Sequence, residues 1–135
     1  MNNKLIINKL IELSNKAKKY GEVPIAALIV KNDKIIASSY NTVEKDKSVL
    51  SHAEIKVINK VCKKNKNWRL DEYELYVTLE PCDMCREILK KCRIKYVYYF
   101  TKQNNNVTES SPNYNFIDNI DYFSNILKNF FKEKR

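Results

Sequence analysis

Glycine is almost missing from this sequence: Gly21 is the only one in 135 residues, beside three prolines. That scarcity excludes collagen-like and glycine-linker architectures. It also excludes a glycine-rich phosphate loop, which needs several glycines at fixed spacing. Long apolar runs are missing too. None approaches the ~18–20 residues that cross a bilayer, so no membrane partner is expected. Met1 to Tyr20 has no continuous apolar core and no small-residue cleavage site, so it does not read as a secretory signal. A lysine-bearing amphipathic start also suits an organellar transit peptide, but Glu12 and the tight link into the next strand suit a folded helix better. Histidine occurs once, as His52, and only four of the 25 basic residues are arginine.

What is present is ordinary for a globular protein: 44% hydrophobic and 30% charged residues. At roughly 150 residues per domain, the length implies one domain over residues 1–135. A chain of this size buries about two-thirds of its unfolded surface and needs no disulfide to fold. The formal charge of +9 favours polyanions, nucleic acid first. Richness in Lys, Asn and Ile is also what an AT-rich genome writes, so charge supports nucleic-acid binding without establishing it. The cysteines are Cys62, Cys82, Cys85 and Cys92. With no secretory signal the expected compartment is reducing and cytoplasmic, where clustered cysteines read as metal or catalysis before disulfide.

Periodicity supplies the elements. Leu5, Ile6, Leu10, Leu13 and Ala17 recur every three to four residues, which predicts an amphipathic helix ending near Gly21. Ile25 to Val30 reads as a buried strand, Lys31 to Lys34 as a turn and Ile35 to Tyr40 as the hairpin partner. Asn41 to Leu50 is polar and reads as a loop. A helix is predicted from Ser51 to about Lys64, a strand over Glu74 to Leu79, a helix over Cys82 to Cys92 and a strand over Ile94 to Phe100. Lys102 to Asn115 reads as irregular, and Asn119 to Lys132 as a closing helix. A hairpin followed by alternating strands and helices predicts an α/β fold with a mixed sheet between helical layers.

The chemistry gathers at two helix starts. His52 and Glu54 open one; Cys82 and Cys85, in Pro81-Cys82-Asp83-Met84-Cys85, open the other. Two cysteines three apart in a first turn share a face and can grip one metal. A helix N-terminus favours thiolate, and Pro81 fits there because its missing N–H costs nothing. With His52 as a third ligand, zinc keeps an open fourth position, the mark of a catalytic site, where a bound water ionises near neutral pH. Glu54 can then carry the proton. Each piece alone has a bland reading. A lone histidine at a helix start is often a cap, Ser51-x-x-Glu54 matches a capping box, and Cys-x-x-Cys serves redox pairs and structural zinc half-sites. Together they form H-x-E…P-C-x-x-C, a signature of zinc nucleobase deaminases. Cys62 and Cys92 read as reduced, buried small hydrophobes.

The sequence resembles the cytidine and deoxycytidylate deaminase superfamily, and within it the bacterial-type tRNA-specific adenosine deaminases. The resemblance runs from about Leu10 to Phe100 and resumes over the last helix. It rests on Gly21-Glu22-Val23-Pro24-Ile25, Asn41, Ser51-His52-Ala53-Glu54, Asn67-Trp68-Arg69-Leu70, Leu75 to Cys85 and Phe130-Phe131. It implies a three-layer α-β-α fold with a mixed sheet of about five strands. It also implies zinc on His52, Cys82 and Cys85, with Glu54 as proton carrier. Asn41 is implied to bond the base edge, Ile25 to pack on the base, and backbone near Ala53 and Pro81 to line the pocket. The implied activity is hydrolytic conversion of adenosine to inosine at the wobble position of a tRNA anticodon stem-loop, by a homodimer.

Departures from the family pattern touch substrate identity. Arg86-Glu87 follows the second cysteine where a small pair is usual, Ala26 replaces a glycine, and Thr101 to Asn106 replaces a glycine-bearing RNA-contacting segment. They feed a second reading, a deaminase of a free base, nucleoside or nucleotide: cytosine, cytidine, deoxycytidylate or guanine. A structural zinc protein or silent RNA-binding subunit is the non-enzyme alternative; Glu54 argues against it, because binding alone needs no proton shuttle. Basic clusters at Lys63, Lys64, Lys66 and Arg69, at Lys90, Lys91, Arg93 and Lys95, and at Lys128, Lys132 and Arg135 are candidate phosphate contacts or plain solvated faces.

Overall fold

Residues 3–103 and 112–134 are described by a computed structural model of the chain. Helix α1 (Asn3–Lys19) buries Ile6, Leu10, Leu13 and Ala17, the stripe its periodicity predicts. Gly21 ends it. The Glu22 N–H reaches the Ala17 carbonyl and the Gly21 N–H the Lys18 carbonyl, both at 3.0 Å, while Gly21 sits at φ +77°. This is a Schellman closure, whose left-handed residue is cheapest as glycine. Open space surrounds the position where a Cβ would stand, so the glycine serves the backbone angle alone.

Strands β1 (Ala26–Lys31) and β2 (Lys34–Tyr40) form a hairpin. Asn32 and Asp33 both take positive φ in its two-residue turn, as a type I′ connection requires. The segment read as a loop over Asn41–Leu50 instead contains a short helix, α2 (Val43–Asp46). Four residues are too few to show helical periodicity. What holds them is remote: the Glu22 carboxylate accepts the backbone N–H groups of Glu44 and Lys45 at 3.0 and 2.9 Å.

Then follow α3 (Ala53–Asn65), β3 (Glu74–Val77), α4 (Asp83–Lys91), β4 (Tyr96–Tyr99), β5 (Asn113–Phe116) and α5 (Tyr122–Glu133). Strand β5 corrects the expectation that Lys102–Asn115 is irregular throughout; residues 104–111 of that segment, including the expected Asn104 to Asn106 replacement, lie outside the described residues, as does Arg135. The sheet order is β2-β1-β3-β4-β5. Strand β1 is antiparallel to both its neighbours, while β3, β4 and β5 run parallel.

Alternation along β1 divides the core. Ala27 and Ile29 face the cluster of Val57, Ile58 and Val61 from α3 and Leu89 from α4. Ala26, Leu28 and Val30 face Ile6, Leu10 and Leu13 of α1 and Phe123 of α5. The result is the expected three-layer α-β-α fold with a mixed five-stranded sheet. Pairing also brings four chain segments to one sheet edge. Ala26 at the start of β1 is opposite Tyr40 at the end of β2, Ala27 is opposite Val77 at the end of β3, and Val77 is beside Tyr99 at the end of β4. Asn41, Thr78 to Cys82 and Thr101 to Gln103 all leave the sheet there.

Candidate active site

Helices α3 and α4 both start at that edge. His52 is the N-cap residue of α3 and Cys82 of α4, both in extended conformation and neither capping with its side chain. Their carbonyls accept the first helical bonds, from Lys56 N–H at 3.0 Å and Arg86 N–H at 2.9 Å. Both side chains are therefore free to turn toward each other. The Cys82 and Cys85 Sγ atoms lie 3.9 and 3.6 Å from His52 Nδ1. One ligand atom from each of the three residues falls within 4.8 Å of the others. The capping-box alternative does not survive, because Ser51 stands outside the N-cap and its hydroxyl donates to Asp46 at 2.7 Å.

The donor set suits a soft divalent ion. Two sulfurs and one imidazole nitrogen converge, with one side open to a cavity, as a three-ligand zinc site requires. Burial pushes the Cys85 thiol up, with the Glu54 carboxylate and Cys82 beside it adding to the rise. Burial likewise draws His52 down toward its neutral, ligating form. Glu54 is 4% exposed. Burial raises its carboxyl above the usual range, against partial relief from its own backbone N–H and from Cys85. A cation at the three donors is the charge that would balance this group.

The adjoining cavity holds about 620 Å³, within the range of small-ligand sites. Its lining includes His52, Glu54, Cys82, Asn41, Ile25 and Ala53. Cys85 is fully buried behind them and Pro81, also buried, is not among the lining residues. Asn41 is 7% exposed; its Nδ2 makes a long 3.5 Å contact with the Val23 carbonyl, and its Oδ1 is buried with no partner among the described residues. Such an unmet hydrogen bond is uncommon in a folded chain and is what a bound ligand can satisfy.

Sequence reasoning passed over several lining residues. Glu80 and Gln103 form one wall, and Phe130, Phe131 and Lys134 of the last helix another. Glu80 accepts the Gln103 N–H at 2.9 Å and the Arg86 guanidinium at 3.1 Å, and its carbonyl accepts Gln103 Nε2 at 2.8 Å. Arg86 is thus a buried partner of Glu80 and stacks 5.8 Å from the Tyr114 ring centre. The residue that departs from the family pattern is therefore engaged inside the protein, behind the Glu80 wall of the cavity. The signal that could have marked Glu80 is an acid directly before Pro-Cys followed by a basic residue after the second cysteine. Nothing local marks Gln103. Of the basic residues, Arg69 is engaged with Asp71 at 3.1 Å. Cys62 is half-buried and Cys92 buried, and both are free thiols.

Comparison with known proteins agrees with this geometry. The tRNA-specific adenosine deaminase of Bacillus subtilis (strain 168) is 41% identical over 95 residues, 70% of this chain and 59% of that protein. The enzyme of the same name from Rickettsia bellii (strain RML369-C) is 45% identical over 58% of this chain and 55% of its own length. The chain therefore matches a little over half the length of these curated relatives. A solved structure from studies of A-to-I editing by tRNA:A34 deaminases superposes with a TM-score of 0.79 at 28% identity, covering 87% of this chain and all of that one. The model of the MafB19-like deaminase family matches residues 1–135. The fold, the converging donors and this full-length match together place the chain in the MafB19-like deaminase family.

Proposed function

We propose that this chain is a zinc-dependent hydrolase that converts adenosine to inosine at the wobble position of a tRNA anticodon. The observation that carries the reading is the meeting of the sole histidine and two thiols, with a buried carboxyl beside them, at one cavity that His52, Glu54 and Cys82 line. The names of the relatives supply the substrate class. Zinc held by His52, Cys82 and Cys85 would supply acidification of water at neutral pH. The chain's own residues do the rest. Glu54, its carboxyl raised by burial, takes a proton from the attacking water and gives it to ring nitrogen 1, then takes the second proton from the newly added hydroxyl and gives it to the departing amine. Water adds and ammonia leaves, so the atoms balance. Asn41 bonds the base edge, Ile25 packs on it, and backbone near Ala53 and Pro81 lines the pocket. Phe131, 51% exposed at the rim, and Lys134 offer a stacking face and a cation to flanking nucleotides.

A homodimer is part of the proposal. The outer face of α3 and α4 carries an apolar groove lined by Ile58, Cys62, Trp68, Ile88 and Cys92, continuous with a second lined by Leu50 and Ile55. Val49, Leu50 and Trp68 are 69, 59 and 58% exposed at its margins. Free thiols and the tRNA substrate fit a cytoplasmic setting; among the described residues no helix is long and apolar enough to cross a membrane.

The test is mass analysis of an anticodon stem-loop with a wobble adenosine after incubation with zinc-loaded protein, beside a panel of free cytosine, cytidine, deoxycytidylate and guanine. Amine-to-oxo conversion at the one base is expected, and Glu54→Ala should abolish it, by at least about 10²-fold, with zinc content unchanged. Reaction on the panel alone would replace tRNA with a small substrate.

A further inference from the structure

Lys56 follows His52 by one turn of α3 and is half-buried. Its Nζ donates to the Tyr40 carbonyl at 3.0 Å and to Thr42 Oγ1 at 2.8 Å, and it lies 5.2 Å from the Tyr40 ring centre. One ammonium thus holds the residues on both sides of Asn41. The hold continues outward. The Thr42 hydroxyl donates to Asp46 Oδ2 at 2.7 Å, the Ser51 hydroxyl donates to the same oxygen at 2.7 Å, and the Thr42 N–H reaches the Ser51 carbonyl at 3.0 Å. Ser51 is the residue before His52. From the opposite side, the Asn41 N–H is bonded to the Ile25 carbonyl at 3.0 Å, and Glu22 pins the start of α2. The backbone around Asn41 is tied down on every side, while its Oδ1 stays buried without a partner among the described residues.

We propose that Lys56 is a positioning residue for Asn41, locking the loop that presents it to the helix that carries His52 and Glu54. A loop-borne amide reads a ligand well only when its backbone is held to a fraction of an ångström, because hydrogen-bond energy falls steeply with misplacement. Lys56 does this from the element that also sets the reacting groups, so base and reacting groups keep one frame. The inference rests on the deaminase reading in taking Asn41 as the residue that contacts the base.

The test is a double-mutant cycle of Asn41→Ala and Lys56→Met, with Lys56→Arg as the conservative variant. It is read as kcat and KM on whichever substrate of the stem-loop and panel the wild-type chain turns over, with zinc content and Tm measured throughout. Lys56→Met is expected to raise KM about tenfold with kcat nearly constant, and to add less than about twofold once Asn41 is Ala. Lys56→Arg, which keeps a long cationic donor, should recover most of the loss. If Lys56→Met does not fold, Thr42→Val removes one of the two Lys56 bonds, together with the Thr42–Asp46 bond, and is expected to raise KM in the same non-additive way. Equal losses in both backgrounds, or a fall in Tm with unchanged KM, would make Lys56 a structural lysine and overturn the inference while leaving the deaminase reading intact. Wild-type protein that is zinc-loaded yet inactive on every substrate would overturn the reading, and the inference with it.

Discussion

Glu54 is a carboxyl group enclosed by protein and raised by that enclosure, and the sign of the effect is testable. An acid whose folded pKa exceeds its unfolded value binds more protons folded than unfolded. The folded state is then favoured at low pH, and that advantage is lost as pH rises through the folded pKa. In chelator-treated protein, Glu54→Gln should therefore match the wild type in acid and exceed it in Tm by a margin that grows as pH rises above the ordinary carboxylate range. Thermal melts across that rise in pH decide it; a margin that shrinks with rising pH would mean a cation partner other than the metal faces the carboxyl. The residue type and place of Glu54, His52, Cys82 and Cys85 were legible because their spacing is local: two positions apart on one helix start, three on the other. The partners of Glu80 and Lys56 were not, because Glu80 meets Gln103 from 23 residues away and Lys56 meets Tyr40 from 16.

Among elements, the link from α4 back to the turn after β3 is a buried charge pair and is costly to break. Arg86 and Glu80 have side chains 7 and 4% exposed and pair at 3.1 Å. Asp83, 3.6 Å from the same guanidinium but 97% exposed, adds little. Removing one partner of a buried pair leaves the other as an uncompensated charge, which costs about 3–5 kcal/mol. Urea denaturation of Arg86→Met should show a loss of that size, and Glu80→Gln in the same chain should recover most of it by removing the stranded charge. Two elements escaped sequence reading for different physical reasons. Helix α2 is too short for periodicity and is held by Glu22. Strand β5 alternates Asn with aromatic residues at the edge of the sheet, half exposed, and becomes a strand only by pairing with β4. Its presence completes the five strands that the family resemblance implied and that propensity alone left at four.

At the scale of the whole molecule the net charge of +9 has a measurable consequence. If the substrate is an RNA, its KM should rise at least tenfold between about 50 and 200 mM salt, whereas a free nucleoside's should barely move. Steady-state kinetics on both substrates separate these. The apolar face of α3 and α4 makes a second demand. If the proposed homodimer uses this face, Ile88→Glu puts a charge in the middle of the shared groove, and sedimentation should report a dimer for the wild type and a monomer for the variant.

The sequence by itself determined the layers and the set of donors that converge. Apolar stripes of period 3.6 and apolar runs of period 2 can be buried in few ways, and donors placed at helix starts by short motifs need only those helices to meet. The tertiary structure decided the rest. It brought the ends of β2, β3 and β4 to one edge through strand pairing across dozens of residues. It placed Gln103 and Phe131 on the same cavity as His52, turned Arg86 inward to Glu80, and set Lys56 astride Asn41. Such contacts depend on where two distant backbones come to lie, and no local pattern of residue types encodes that distance.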